Sequence, residues 1–130
     1  MKVLIAKART ALGSARILLE IGDLPGAANR TYYSVFDAMR ASISHVAGIA
    51  PKDVTTHHGV FRLFEMHVIA PGLIDSNSAR VIYRAQELRW GGDYAVPIEL
   101  DASEVARTLV SAVAFVDMCA RLVGADEEKP

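Results

Sequence analysis

The sequence predicts an all-α fold: an antiparallel helical bundle of about five helices that dimerises. Apolar residues recur at helical spacing in five separate segments. No stretch alternates with period two for long enough to require a strand; "YAVPIEL" comes nearest, and its central Pro97 demotes it. Clusters of turn residues fall between the periodic segments and nowhere inside them. At 130 residues the chain is long enough for one core, so residues 1–123 read as one helical domain and 124–130 as a disordered tail.

The elements follow in order. The first helix covers about 2–21 and stops at "GDLPG". Asp23 then precedes Leu24-Pro25, with proline tolerated in a first turn, and opens a helix over about 24–46. "AGIAPKDVTT" separates it from a third helix over about 57–69, which Thr56 caps. After "PGLIDSNS", Ser76 caps a fourth helix over about 77–90, and Gly91-Gly92 reads as its stop. Asp101, with Glu104 at capping-box spacing, opens the fifth over about 102–123.

Composition narrows the function classes. A net charge of -1 gives no global basic field to attract nucleic acid, so RNA contact needs a local patch; Arg80, Arg84 and Arg89 are the dense candidate. Hydrophobic residues make up 52% with a mean hydropathy of +0.23, a surplus that points to a partner interface. The fifth helix, apolar nearly all round at Val105, Leu109, Val113, Val116 and Leu122, points the same way. No apolar run is long enough to span a bilayer, and "MKVLIAKAR" lacks the apolar length of a signal peptide. The lone Cys119 reads as a buried thiol, and the location as cytoplasmic.

The second helix carries two stripes. At roughly 100° per residue, Tyr32, Val35, Phe36, Met39, Ile43 and Val46 form a core stripe. Opposite lie Arg30, Tyr33, Ser34, Asp37, Ala41 and Ser44, small residues with three functional side chains in line. This is a second buried face, suited to close approach of another helix and to a protein–protein seam. Asp37 is expected to accept from Tyr33 one turn back or from a neighbouring arginine. On the fourth helix Arg89 falls on the side of Ile82 and Ala85, where it either snorkels at the helix C-terminus or pairs with Asp37 or Asp93.

The stretches "GDLPGAANRTYYSVFDAMRA", "THHGVFRLF" and "RAQELRWGGDY" resemble the HEPN domain family over nearly the whole chain. They are similar to the small single-domain branch with an A-x-R-x-Y-Y-x-x-F pattern and a later arginine followed by a tripeptide such as Ala-Asp-Tyr. The resemblance implies a bundle that dimerises, a minimal nucleotidyltransferase as partner, and in many members metal-independent ribonuclease chemistry. That chemistry rests on an arginine, four to six intervening residues and then a histidine, in two copies across the dimer. Here Arg89 is followed by Trp90-Gly91-Gly92-Asp93-Tyr94 with no histidine, and Asp37 stands where many relatives have one. Arg40 and His45 match the spacing literally but point about 140° apart on one helix. Tyr94 occupies the place of a tyrosine that such a partner can target.

Three readings follow. The first is a binding and scaffold homodimer working with a nucleotidyltransferase-type partner in a toxin–antitoxin or defence setting, its ribonuclease motif degenerate. The second is an endoribonuclease toxin with a non-standard site drawn from Arg30, Asp37, Arg89, Asp93 and Tyr94. The third is a module that binds a nucleotide or a small molecule between the second and fourth helices through Tyr33, Arg84 and Arg89, with RNA a candidate partner of the chain. His57, His58 and His67 lack the spacing of a metal pair. The two at the helix start read as neutral and partly capping, and the resemblance, which includes a histidine there, implies a structural hydrogen bond. No Gly-rich phosphate cradle is present, so no metal and no cofactor is expected.

Overall fold

Among the described residues, four helices pack around a fifth, the second in chain order. The computed structural model describes residues 1–93 and 99–127, the side chains of 91–93 excepted. In chain order α1 is Lys2–Glu20, α2 Leu24–Ala47, α3 His57–Phe64, α4 Val81–Asp93 and α5 Ala102–Val123. A 3-10 turn, Pro51–Asp53, precedes α3, and another, Ser78–Arg80, leads into α4. No strand occurs among the described residues; the "YAVPIEL" stretch falls largely outside them.

Local chemistry sets the helix ends. Asp23 accepts from the Gly26 amide at 2.9 Å and Thr56 from the Gly59 amide at 3.1 Å, each satisfying a donor in a first turn. Asp101 accepts from the Ser103 amide at 2.9 Å and opens α5. At the fourth helix the cap is Asp75, not Ser76. Its carboxylate takes the Ser78 amide at 2.7 Å and the Ser78 hydroxyl at 2.8 Å, two bonds that hold it below the usual carboxylate range. Gly48 and Gly124 end α2 and α5 with φ of 70° and 67°, a left-handed turn that only glycine enters cheaply.

Two boundaries differ from the sequence reading. α4 runs through Gly91 and Gly92 to Asp93, because glycine weakens a helix by only about 1 kcal/mol and does not forbid one. The third helix widens after Phe64 into a π turn, Glu65–Ile69, closed by the Ala70 amide on the Glu65 carbonyl at 2.9 Å.

The core stripe of α2 is buried as read at Tyr32, Val35, Phe36, Met39 and Ile43. Val46 is the exception, 36% exposed in the last turn before Gly48. The second stripe is buried too, at Ser34, Asp37, Ala41 and Ser44. α1 is the helix that packs most extensively on α2, so much of the close approach those small residues allow is made within one chain. Phe64 of α3 meets Phe115 of α5 edge-on at 5.8 Å between centroids, closing the far side of the core. Arg9 of α1 bridges Asp117 at 3.1 Å and Asp126 at 2.6 Å, tying α1 to α5 and the turn after it. Cys119 is fully buried between helices, and burial pushes its thiol up to about 12, so it is chemically inert at neutral pH.

Phe115 has no exposed surface, and truncating it leaves a cavity beside Phe64. Phe115→Ala is expected to cost about 3–5 kcal/mol of stability in urea unfolding followed by circular dichroism.

Candidate site on the second helix

The functional side chains gather where α2, α3 and α4 meet. Adjacent tyrosines on a helix diverge by about 100°. Tyr32 therefore turns into the core while Tyr33 stays half-buried at its edge, their rings 5.1 Å apart and nearly perpendicular. Phe36, one turn on, stacks at 5.9 Å from Tyr32. The first residue of α3, His57, lies on this group at 4.9 Å from Phe36 and 5.5 Å from Tyr32.

Two guanidinium groups rest on the aromatic cluster. Arg30 lies 5.3 Å from the Tyr33 centroid, and Arg89 lies 4.9 Å from Tyr32 and 5.6 Å from Tyr33. Arg89 thus faces α2, on the side of Ile82 and Ala85, and it is partly buried against rings. Asp37 pairs instead with Arg40, three residues on, at 3.3 Å. Arg40 also donates to the Val54 carbonyl at 2.7 Å and the Pro51 carbonyl at 3.0 Å, so it pins the α2–α3 connection against α2. The literal Arg40–His45 match is therefore not a site within the chain: Arg40 is engaged with the backbone and His45 is exposed. The side chain of Asp93 and all of Tyr94 lie outside the described residues. Arg84 is exposed on a different side of α4, towards α5.

Electrostatics give each titratable group a definite state. The Tyr32 hydroxyl bonds His57 Nδ1. Burial pushes that phenol up to about 12, an effect the nearby Arg89 reduces. Burial, with Arg89 second, pulls His57 below its ordinary value, so the imidazole is neutral near pH 7. A protonated phenol whose bonding partner is a neutral ring nitrogen donates to it. His57 therefore accepts at Nδ1 and carries its proton on Nε2, where it is a hydrogen-bond donor.

Asp37 moves in a direction the sequence reading did not anticipate. It is 3% exposed, and burial raises its carboxyl above the usual range despite Lys7, Arg40 and Arg30 nearby, which act to lower it. The desolvation cost exceeds the pull of three cations because two of them reach it only through space.

Beside Tyr33 a cleft of about 460 Å³ opens between α1 and α2, lined by Lys7, Thr10, Ser14, Arg30, Tyr33 and Asp37. Lys7 and His57 are the members missed among the candidate residues. His57 was read only as one of two histidines at the start of the third helix, and its nearness to Arg89 joins elements 32 residues apart and has no local signal. Lys7 is an exposed lysine like any other until α1 is laid on α2. Among the described residues no three His, Cys, Asp or Glu side chains gather as a metal site.

Because the folded state holds the Asp37 carboxyl above its unfolded value of about 3.9, the folded chain binds that proton more tightly. Stability from this group is complete in acid and declines as pH rises from the unfolded towards the folded value. Asp37→Asn is thus expected to raise Tm at pH 7 and to lose that advantage near pH 4. Calorimetric melts across this range check it, and a lower Tm at pH 7 would show that Arg40 needs an anion beside it.

Comparison with known proteins agrees with this architecture. The HEPN domain profile matches residues 1–122. A protein of Methanocaldococcus jannaschii named "Putative toxin MJ0605" is 30% identical over 119 residues, covering 90% of this chain and 84% of its own. A "UPF0332 protein" of Thermotoga maritima is 27% identical over 117 residues, covering 90% and 86%. Another of that name from Pyrococcus horikoshii is 38% identical over 71 residues, covering 55% and 47%. With a domain match that takes in all five helices up to the last turn of α5, the chain belongs to the HEPN domain family.

Proposed function

We propose that this protein is the RNA- or nucleotide-binding member of a toxin-type system, working as a homodimer with a nucleotidyltransferase-type partner. One observation carries the binding role: Tyr33, at the mouth of the α1–α2 cleft, lies within cation–π distance of both Arg30 and Arg89. Arg30 lies over the Tyr33 ring and donates Nε and Nη2 to Asn29 Oδ1 at 3.2 and 3.0 Å, which holds the guanidinium plane and leaves its Nη1 side for a phosphate oxygen. Lys7 adds a further positive charge to the cleft, and tyrosine rings are platforms on which bases stack. The toxin setting is supported by the printed name of one relative. The surplus of apolar surface supports a dimer, with Val3, Ile17 and Ile21 each more than 60% exposed.

A second reading, metal-independent RNA cleavage, is favoured by one specific contact. The histidine absent from the expected spacing after Arg89 is matched in space by His57, which bears on the same tyrosines. Its Nε2–H, fixed by Tyr32, is placed to donate to a phosphate oxygen or a leaving oxygen.

Fluorescence anisotropy with a labelled single-stranded RNA tests the first reading. Arg30→Ala and Arg89→Ala are each expected to weaken binding about tenfold and to lower the log–log salt slope by about one. Absence of wild-type binding at low salt, or affinity unchanged in both folded variants, would sink it. In EDTA the wild type is expected to cleave RNA no faster than the double variant. Cleavage that disappears in His57→Ala would promote the second reading.

A further inference from the structure

A second positively charged surface lies on the opposite side of α4 from the tyrosine cluster. Arg84 and Arg89 are five residues apart, about 140° around the helix, so they serve different faces. Where α4 runs antiparallel to α5, a groove of about 690 Å³ follows the two helices. Its floor is apolar, with Val81, Val110 and Met118, and Val110 is 71% exposed. Its walls carry Arg80 and Arg84 on one side and Arg107 on the other.

No carboxylate lines this groove, and none of its three arginines forms a salt bridge among the described residues. Arg9 and Arg40, by contrast, each have aspartates. The three guanidinium groups stand over exposed hydrocarbon, with Glu87 and Glu104 beside Arg80 and Arg84 in an adjoining pocket and Asp101 near Arg107. An occupant that complements this lining brings carboxylates to the arginine walls and apolar side chains to the floor. Nucleic acid brings the charge but no aliphatic surface, and no aromatic ring lines the groove for its bases.

From these features we infer that the α4–α5 groove docks an acidic amphipathic helix of a partner protein. The wall contributed by α5 spans Ala106 to Met118, about 18 Å at 1.5 Å per residue, which is three turns of a docked helix. The fitting segment carries apolar residues at i, i+4 and i+7 with Asp or Glu on the flanks, the helix-in-groove mode of recognition. Its carboxylates reach Arg80, Arg84 and Arg107 at the rim, and its apolar side chains cover Val110 and Met118. The inference stands apart from the RNA-binding reading, since it uses none of the same residues.

Selection from a phage library of randomised helical peptides, panned on the full chain, tests it directly. The expected result is enrichment of acidic peptides with apolar residues at helical spacing. A synthesised winner should bind at least tenfold more weakly to Arg84→Glu/Arg107→Glu and to Val110→Asp. If the double variant fails to fold, Val110→Asp with Arg80→Glu provides the same comparison. Winners without acidic residues, no enrichment, or winners indifferent to these changes would overturn the inference. Two further outcomes would also overturn it. Dissociation of a dimer by Val110→Asp would assign the groove to a second copy, and loss of RNA binding in Arg84→Glu/Arg107→Glu would assign it to nucleic acid.

Discussion

Enclosure of α2 on every side is the constraint on which the rest of the molecule depends. A helix with no wet face must satisfy its polar side chains internally, because each unmet group costs about 1–3 kcal/mol. The Thr31 hydroxyl donates to the Ala27 carbonyl at 2.8 Å, Ser34 to Thr31 at 2.6 Å and Ser42 to Ala38 at 3.0 Å. These bonds return polar groups to the helix that carries them and ask nothing of the neighbours. Alanines at 27, 28, 38 and 41, all fully buried, then let the other helices come close. Ser44, whose buried hydroxyl has no hydrogen-bond partner among the described residues, and Asp37 are the residues this scheme does not absorb. Arg40 must both answer the charge of Asp37 and hold the following loop.

The same enclosure shapes the chemistry at the tyrosines. Arg30 and Arg89 are held on rings, which anchors their planes without cancelling their charge. Their positive field, together with burial, decides the state of the neighbouring groups. Arg89 helps keep His57 neutral and lowers the cost of ionising Tyr32, though burial still dominates there. A histidine in this setting begins as a donor through Nε2 and not as an imidazolium, so its natural role towards a phosphate is a hydrogen bond. Whether that bond only holds the phosphate or also passes a proton depends on whether Tyr32 can replace the proton through Nδ1, and a phenol near 12 resists doing so.

The features legible in the sequence were those that repeat or punctuate. Helical periodicity found all five helices, α5 at both ends and α1 and α2 to within one residue. It ran five residues past the end of α3 and began α4 four residues early, because a buried stripe imposes a 3.6-residue rhythm that π and 3-10 turns also continue. The second stripe of α2 was legible as buried because Ser34, Ala41 and Ser44 replaced the Lys and Glu of a solvated face. Nothing in that stripe could name α1 as its cover, since small residues admit any helix equally. The Asp75 cap was missed because Ser76 is an equally good cap by type, and only the turn geometry around Ser78 chooses between them. The meeting of Lys7, Tyr33, His57 and Arg89 was hidden for a simpler reason. It draws on four helices, and long-range proximity leaves no trace in local spacing.

A nearly neutral net charge also conceals how the charges are used. The aspartates are largely committed to holding the fold. Asp23, Asp75 and Asp101 cap helices, Asp37 answers Arg40, and Asp117 and Asp126 hold Arg9. With so many aspartates fixed at helix ends and in structural pairs, several arginines stand outside the salt bridges described for Arg9 and Arg40. α4 then divides them by helical phase, directing Arg89 to the tyrosines of α2 and Arg84 to the groove shared with α5. A chain with net charge -1 thereby presents two separate positive surfaces, one lined by aromatic rings and one by aliphatic side chains. Rings suit bases and aliphatic floors suit apolar side chains, so the two surfaces of one helix are matched to different classes of partner.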